Sequence, residues 1–173
     1  VEGGMSSART SFFHKSIGGY HAAKPRRMQQ LFDYQIAKNN VRVLNMLNVK
    51  YVIQSDENGQ KLALANPAAN GNAWFVEKVK LVKSADEEIK ALDKLDSKNV
   101  VIINTLINDG QDFKGSESIS KDSVASVQLK SYKPNHLIYS SENSKSGFAV
   151  FSENYYKKGW IATIDGKDAK IYQ

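Results

Sequence analysis

The chain has no cysteine, which excludes disulfides, thiolate nucleophiles and thiolate metal sites. That lack leaves the compartment open, because extracytoplasmic bacterial domains often do without cysteine. No stretch approaches the roughly 20 consecutive apolar residues that a spanning helix needs. The longest aliphatic run, Val100 to Ile103, suits a strand. No signal-peptide pattern is present. A basic tail is missing too: 24 Lys and Arg are mixed with 18 Asp and Glu, for a net charge of +6, and the densest basic cluster is Lys24, Arg26 and Arg27. Such a balance attracts anionic polymers or lipid headgroups, or simply solubilises the surface. Nucleic acid is not an expected partner.

What is present suits one domain, or one domain and a small second, long enough to bury a core without staples. Residues 1–23 are rich in Gly, Ser and Ala and read as a loop, yet they hold Phe12, Phe13, His14, Tyr20 and His21. Phe12 or Phe13 is expected to dock on the fold and so to hold His14, Tyr20, His21, Arg26 and Arg27 in fixed positions, or else these rings only anchor the chain. A helix is expected from about Lys24, with Pro25 in its first turn and Met28, Leu31, Phe32 and Ile36 at helical spacing. Asn39 and Asn40 break it and cap a second short helix, whose expected stripe is Val41, Leu44 and Leu47, with Asn48 as its stop. Strands are expected over 49–54 and 61–65 around the turn signal Asp56-Glu57-Asn58-Gly59. Another is expected over 74–83.

Ser84-Ala85-Asp86-Glu87 forms a capping box ahead of a helix with Ile89, Leu92 and Leu95 on its apolar face. Strand, helix and strand thus occur once, over 74–103. Residues 109–122 read as a linker or long loop. Beyond them the period falls to 2, with Ala125, Val127 and Leu129 on one face. Asp165-Gly166 between two alternating runs marks a tight hairpin. The expected fold is α+β: a small mixed α/β part over 1–108, the linker over 109–122, and an antiparallel β-sheet or partial β-sandwich over 123–173. Ala169 and Ile171 begin an alternation that reads as an unfinished strand, and both chain ends are expected to be cuts in a longer polypeptide.

Chemistry-bearing residues gather in two places. His14, Tyr20, His21, Lys24, Arg26 and Arg27 offer an anion or phosphate site, or a loop pinned by hydrogen bonds from its His rings. No cysteine or nearby carboxylate completes a metal set, so no metal and no cofactor are expected. Tyr155, Tyr156 and Trp160 form the densest aromatic cluster, either a platform for sugars or part of the core. Gly18-Gly19 lacks the spacing of a phosphate-binding loop. Asp86, Glu87 and Glu88 answer a helix dipole rather than form an acid/base pair. No nucleophile elbow occurs, and no catalytic residue is assigned.

Four segments carry a resemblance. They are Phe12-Phe13-His14-Lys15-Ser16-Ile17-Gly18-Gly19-Tyr20-His21-Ala22-Ala23-Lys24; Leu44 through Asn48-Val49-Lys50-Tyr51-Val52-Ile53; Phe151-Ser152-Glu153-Asn154-Tyr155-Tyr156-Lys157-Lys158-Gly159-Trp160; and Ile164-Asp165-Gly166-Lys167. In that order they resemble the C-terminal extracytoplasmic region of YfhO-type bacterial membrane proteins. Those are large multi-pass proteins of the polytopic, lipid-linked-sugar-dependent glycosyltransferase superfamily. Lys157-Lys158 departs from the pattern, which often has a proline before the Gly-Trp pair. The resemblance implies cell-envelope glycosylation from a polyprenyl-phosphate sugar donor, with the catalytic acids in a transmembrane half of the same polypeptide. It implies an extracytoplasmic location as part of an inner-membrane protein, with that half and a glycan or lipid-linked sugar as partners. Three other readings stand beside it. Two exposed coplanar rings among Tyr155, Tyr156 and Trp160 would favour a carbohydrate-binding module. A pocket with paired carboxylates would favour a soluble hydrolase. A plain spacer domain needs neither.

Overall fold

The structure, a computed structural model, describes residues 7–108, 113, 117–119 and 122–173. The chain divides into two compact units, Val1–Gly71 and Asn72–Gln173. The fold is α+β, with short helices and several small, mainly antiparallel sheets.

In the first unit the expected N-terminal loop contains a one-turn helix, α1 (Arg9–Phe13). It closes through Phe12 N–H to Ala8 O at 2.9 Å and His14 N–H to Thr10 O at 2.9 Å. One turn is too short to leave a period in the sequence. The chain then folds back on it: Gly19 has φ +141°, and a Cβ there would lie 2.9 Å from Ser11 Oγ. Helix α2 (Arg26–Tyr34) follows, with Pro25 at its N-cap, one position before the expected first turn. Met28, Leu31 and Phe32 are half-buried, as their spacing requires. A 3-10 turn, Ile36–Lys38, leads to Asn39 in the left-handed region at φ +58°.

Asn40 caps α3 (Val41–Met46) by accepting the Arg42 N–H at 3.1 Å. Its amide also donates to Oε1 of the buried Gln35 at 2.7 Å. The expected stripe is corrected here. Val41 is exposed and Val43 is the buried residue. Six residues span too few turns for a 3.6 period to select a face. Asn48 ends the helix as expected, with φ +54°. Its N–H donates to Asn45 O at 3.1 Å and the Val49 N–H to Leu44 O at 3.0 Å, the two bonds of a Schellman motif. The hairpin of β1 (Tyr51–Ser55) and β2 (Lys61–Ala65) pairs Tyr51 with Ala65 and Ser55 with Lys61. Asp56 closes its turn by accepting the N–H groups of Asn58 and Gln60.

In the second unit the single strand expected over 74–83 is two strands, β3 (Ala73–Val76) and β4 (Lys78–Val82), in different sheets. The break is made by a partner distant in sequence: the Asn99 carbonyl accepts both the Glu77 N–H, at 2.8 Å, and the Lys78 N–H, at 3.0 Å. Strand β4 runs parallel to β5 (Val100–Asn104) across helix α4 (Ala85–Ala91) and pairs on its other side with β6 (Glu117–Ser118). The strand–helix–strand expectation therefore holds. The Ser84 hydroxyl caps α4 by accepting the Glu87 N–H at 3.1 Å. The Glu87 carboxylate reaches back to the Lys83 N–H at 2.8 Å, one residue earlier than the capping box predicts. Trp74, Val76, Val79, Val82, Leu95 and Ile103 form the buried core, and the Trp74 indole N–H donates to Ser97 O at 2.9 Å.

The remaining strands are β7 (Ser126–Lys133), β8 (His136–Glu142), β9 (Phe148–Phe151), β10 (Ala162–Ile164) and β11 (Lys167–Ala169). All pair antiparallel: β7 with β8, β3 with β9, and β10 with β11. The β3–β9 ladder joins a strand from the expected first part to one from the expected last part. Most of the expected 109–122 linker lies outside the described residues. Asp165 (φ +51°) and Gly166 (φ +77°) form the expected two-residue turn, with positive φ at both positions.

Candidate functional site

The two residue groups singled out by sequence fall in different units, so each is treated alone. In the first unit, Phe12 and Phe13 do not dock. They are 81% and 70% exposed and meet each other edge to face at 4.9 Å. The docking expectation is therefore corrected. A five-residue helix places these consecutive rings side by side, and no described apolar surface covers them. Tyr20 is 69% exposed and follows Gly19, whose backbone lies against Ser11 of the same helix. His14 and His21 are exposed. The His21 ring is pinned locally, its Nδ1 accepting the Ala23 N–H at 3.1 Å. Of the loop-pinning bonds expected of the His rings, it is one, made by His21 to a residue two positions on.

Lys24 belongs to a side-chain relay. Its Nζ donates to Gln29 Oε1 at 2.8 Å, and the Gln29 amide donates to Asp33 Oδ1 at 2.7 Å. Arg26 and Arg27 are exposed on the first turn of α2. Of the group, Lys24 is half-buried and the others are exposed, so its cations and rings face solvent.

In the second unit, Tyr155, Tyr156 and Trp160 lie on the chain between β9 and β10. The Tyr156 carbonyl accepts the Gly159 N–H at 2.9 Å and the Trp160 N–H at 3.2 Å, which closes the turn across Lys157-Lys158 without a proline. The Trp160 indole N–H donates to Asn154 O at 2.9 Å. Trp160 and Tyr155 are half-buried, while Tyr156 is 65% exposed. No ring contact joins the three residues to one another. Tyr156 alone offers an open face for stacking.

A cleft that sequence reasoning missed lies among Phe75, Ile119, Asp122, Asn143, Lys145 and Gly147. It has room for no more than about one water molecule, too little for a sugar ring. Asp122 closes one side, accepting the backbone N–H groups of Ser144 and Val124. The Ser144 N–H, then its side chain, then the Val124 N–H hold the Asp122 carboxyl below its ordinary value. This carboxylate is a structural acceptor that ties residues 122–124 to the turn before β9.

Tyr139 packs edge to face on Phe151 at 4.9 Å, and burial, followed by the charge of Glu153 and the neighbouring Tyr132, pushes its phenol up to about 12. It therefore stays neutral near pH 7 and offers no base. Among the described residues no group of three His, Asp or Glu side chains is placed to hold a metal ion. No described helix is long and apolar enough to cross a membrane. No family model, curated protein or solved structure matches this chain.

Proposed function

We propose that this chain is an extracytoplasmic accessory domain of a membrane-embedded, lipid-linked-sugar-dependent glycosyltransferase of the YfhO type, facing the acceptor and performing no catalysis itself. The observation that carries the reading is the order of the four resembling segments along the chain. Each also coincides with a defined local structure. The first runs from the last two residues of α1 through the return at Gly19; the second is the Schellman end of α3 running into β1; the third holds the closed turn before Trp160; the fourth is the Asp165-Gly166 hairpin. The partners in this reading are the transmembrane half of the same polypeptide and a glycan or lipid-linked sugar.

The lack of cysteine makes the location directly testable. Lys158 is exposed, so Lys158→Cys in the full gene product gives one accessible thiol in this region. A membrane-impermeant thiol reagent should label it in intact spheroplasts. Labelling only after the membrane is lysed would overturn the extracytoplasmic reading. For the accessory role, the purified chain should turn over no lipid-linked sugar, and turnover by the chain alone would refute it. A second reading, sugar contact in a carbohydrate-binding module, has the single open face of Tyr156 in place of the exposed coplanar pair expected of it. Tyr156→Ala should then abolish retention on a glycan column, and an unchanged elution would dismiss it.

A further inference from the structure

We infer that the N-terminal segment of the first unit is a surface that docks on an anionic lipid bilayer, with Phe12, Phe13 and Tyr20 as its interfacial rings. This inference does not rest on the glycosyltransferase reading. Two independent observations meet in it. The first is geometric. Large rings are seldom this exposed on a water-facing surface. Here three are at least 69% exposed within one short stretch. The return at Gly19 against Ser11 brings the chain at Tyr20 back to the helix that carries Phe12 and Phe13. Aromatic side chains favour the headgroup level of a bilayer, where the ring sits among acyl carbons and its edge among polar groups.

The second observation is electrostatic. Between Glu2 and Asp33 there is no acidic residue, while Arg9, Lys15, Lys24, Arg26 and Arg27 all fall there. The whole chain carries 24 Lys and Arg against 18 acids, so these five supply nearly all of the net +6 and the rest of the sequence is close to neutral. Four of the five are exposed and Lys24 is half-buried. A cationic surface with projecting apolar rings matches an anionic bilayer in both respects: headgroup charge attracts the cations, and insertion of the rings removes them from water. A soluble phosphate would use the cations and leave the rings without a role. The rings therefore decide for lipid over a free anion.

The test uses the intact chain and sedimentation with vesicles of phosphatidylglycerol and phosphatidylcholine, compared with vesicles of phosphatidylcholine alone. The chain should partition at least about tenfold more strongly onto the anionic vesicles, and more weakly as salt shortens the screening length from about 10 Å to about 3 Å. Phe12→Ser with Phe13→Ser should weaken partitioning by about tenfold at an unchanged melting temperature. Arg26→Gln with Arg27→Gln should lower the anionic preference by a similar factor. Equal binding to both vesicle types, or anionic binding untouched by the double Phe variant, would overturn the inference. So would displacement by inorganic phosphate at matched charge, which would mark a free-anion site. Self-association that the Phe variant abolishes while vesicle binding is nil would assign the rings to a second copy of the chain and equally refute lipid docking.

Discussion

The two units reach order by different physical routes. Among the described residues, Val43 is the buried hydrophobic residue of the first unit, whereas the second buries Trp74, Val76, Val79, Val82, Leu95 and Ile103. The first unit instead closes its backbone polar groups one at a time. Asn40 caps α3, Asn48 and Val49 complete a Schellman end, and Asp56 holds the hairpin turn. The Asn66 amide donates to both Asn45 Oδ1, at 2.9 Å, and Val49 O, at 2.8 Å. Such bonds contribute about 1 kcal/mol each, while a buried aliphatic side chain contributes about 1.5–3 kcal/mol. A region held mostly by local bonds opens more readily than one held by burial.

Ile103→Ala gives the largest expected effect. This side chain is 2% exposed in the parallel β4–β5 layer, and its loss should cost about 2–5 kcal/mol in urea denaturation. A cost well under 1 kcal/mol, on the order of an exposed-site change, would remove the contrast between the units. Next comes Gly166→Val. No atom lies within 4 Å of a Cβ at this position, so the expected cost of about 1–2 kcal/mol is purely that of a β-branched residue at φ +77°. An unchanged melting temperature would contradict the turn.

In the first unit, Asn40→Ala should cost about 1 kcal/mol through loss of the cap. Amide exchange should accelerate around α3 and not in β4 or β5, and acceleration in both would mean that the units share one cooperative transition. The smallest effect is expected from Phe12→Ala and Phe13→Ala, each within about 0.5 kcal/mol of the parent. A larger loss would show that the rings are covered after all.

What was legible in the sequence was local. The Ser84 cap, the Asp165-Gly166 turn, the bounds of β2 and the β4–α4–β5 unit are each set within a few residues or by one strong period. What was not legible depends on partners distant in sequence. The alternation over 74–83 gives no hint that Asn99 will take two consecutive N–H groups at Glu77 and Lys78 and split the strand. In α3 both Val41 and Val43 are apolar, and only the surroundings of the helix choose Val43. The rings of Phe12 and Phe13 look like core by composition, because hydrophobicity does not state which solvent covers it. For the candidate residues, the sequence marked the basic and aromatic character of both groups. It did not show Lys24 drawn into the Gln29–Asp33 relay or Trp160 tied to Asn154.

The β3–β9 ladder has a kinetic consequence. Val79 and Val101 meet across a single helix, but Trp74 finds Val150 only across about three quarters of the second unit. The longer closure costs more chain entropy and is expected late in folding. Val79→Ala should then chiefly slow refolding, while Val76→Ala in β3 should chiefly speed unfolding, as stopped-flow kinetics would resolve. The opposite partition would reverse the order. If the order holds, chains that β9 has not yet joined present Trp74 and Val76 on an unpaired strand. Such a strand is a template for intermolecular pairing, so refolding yield should fall with protein concentration even where the native state is stable.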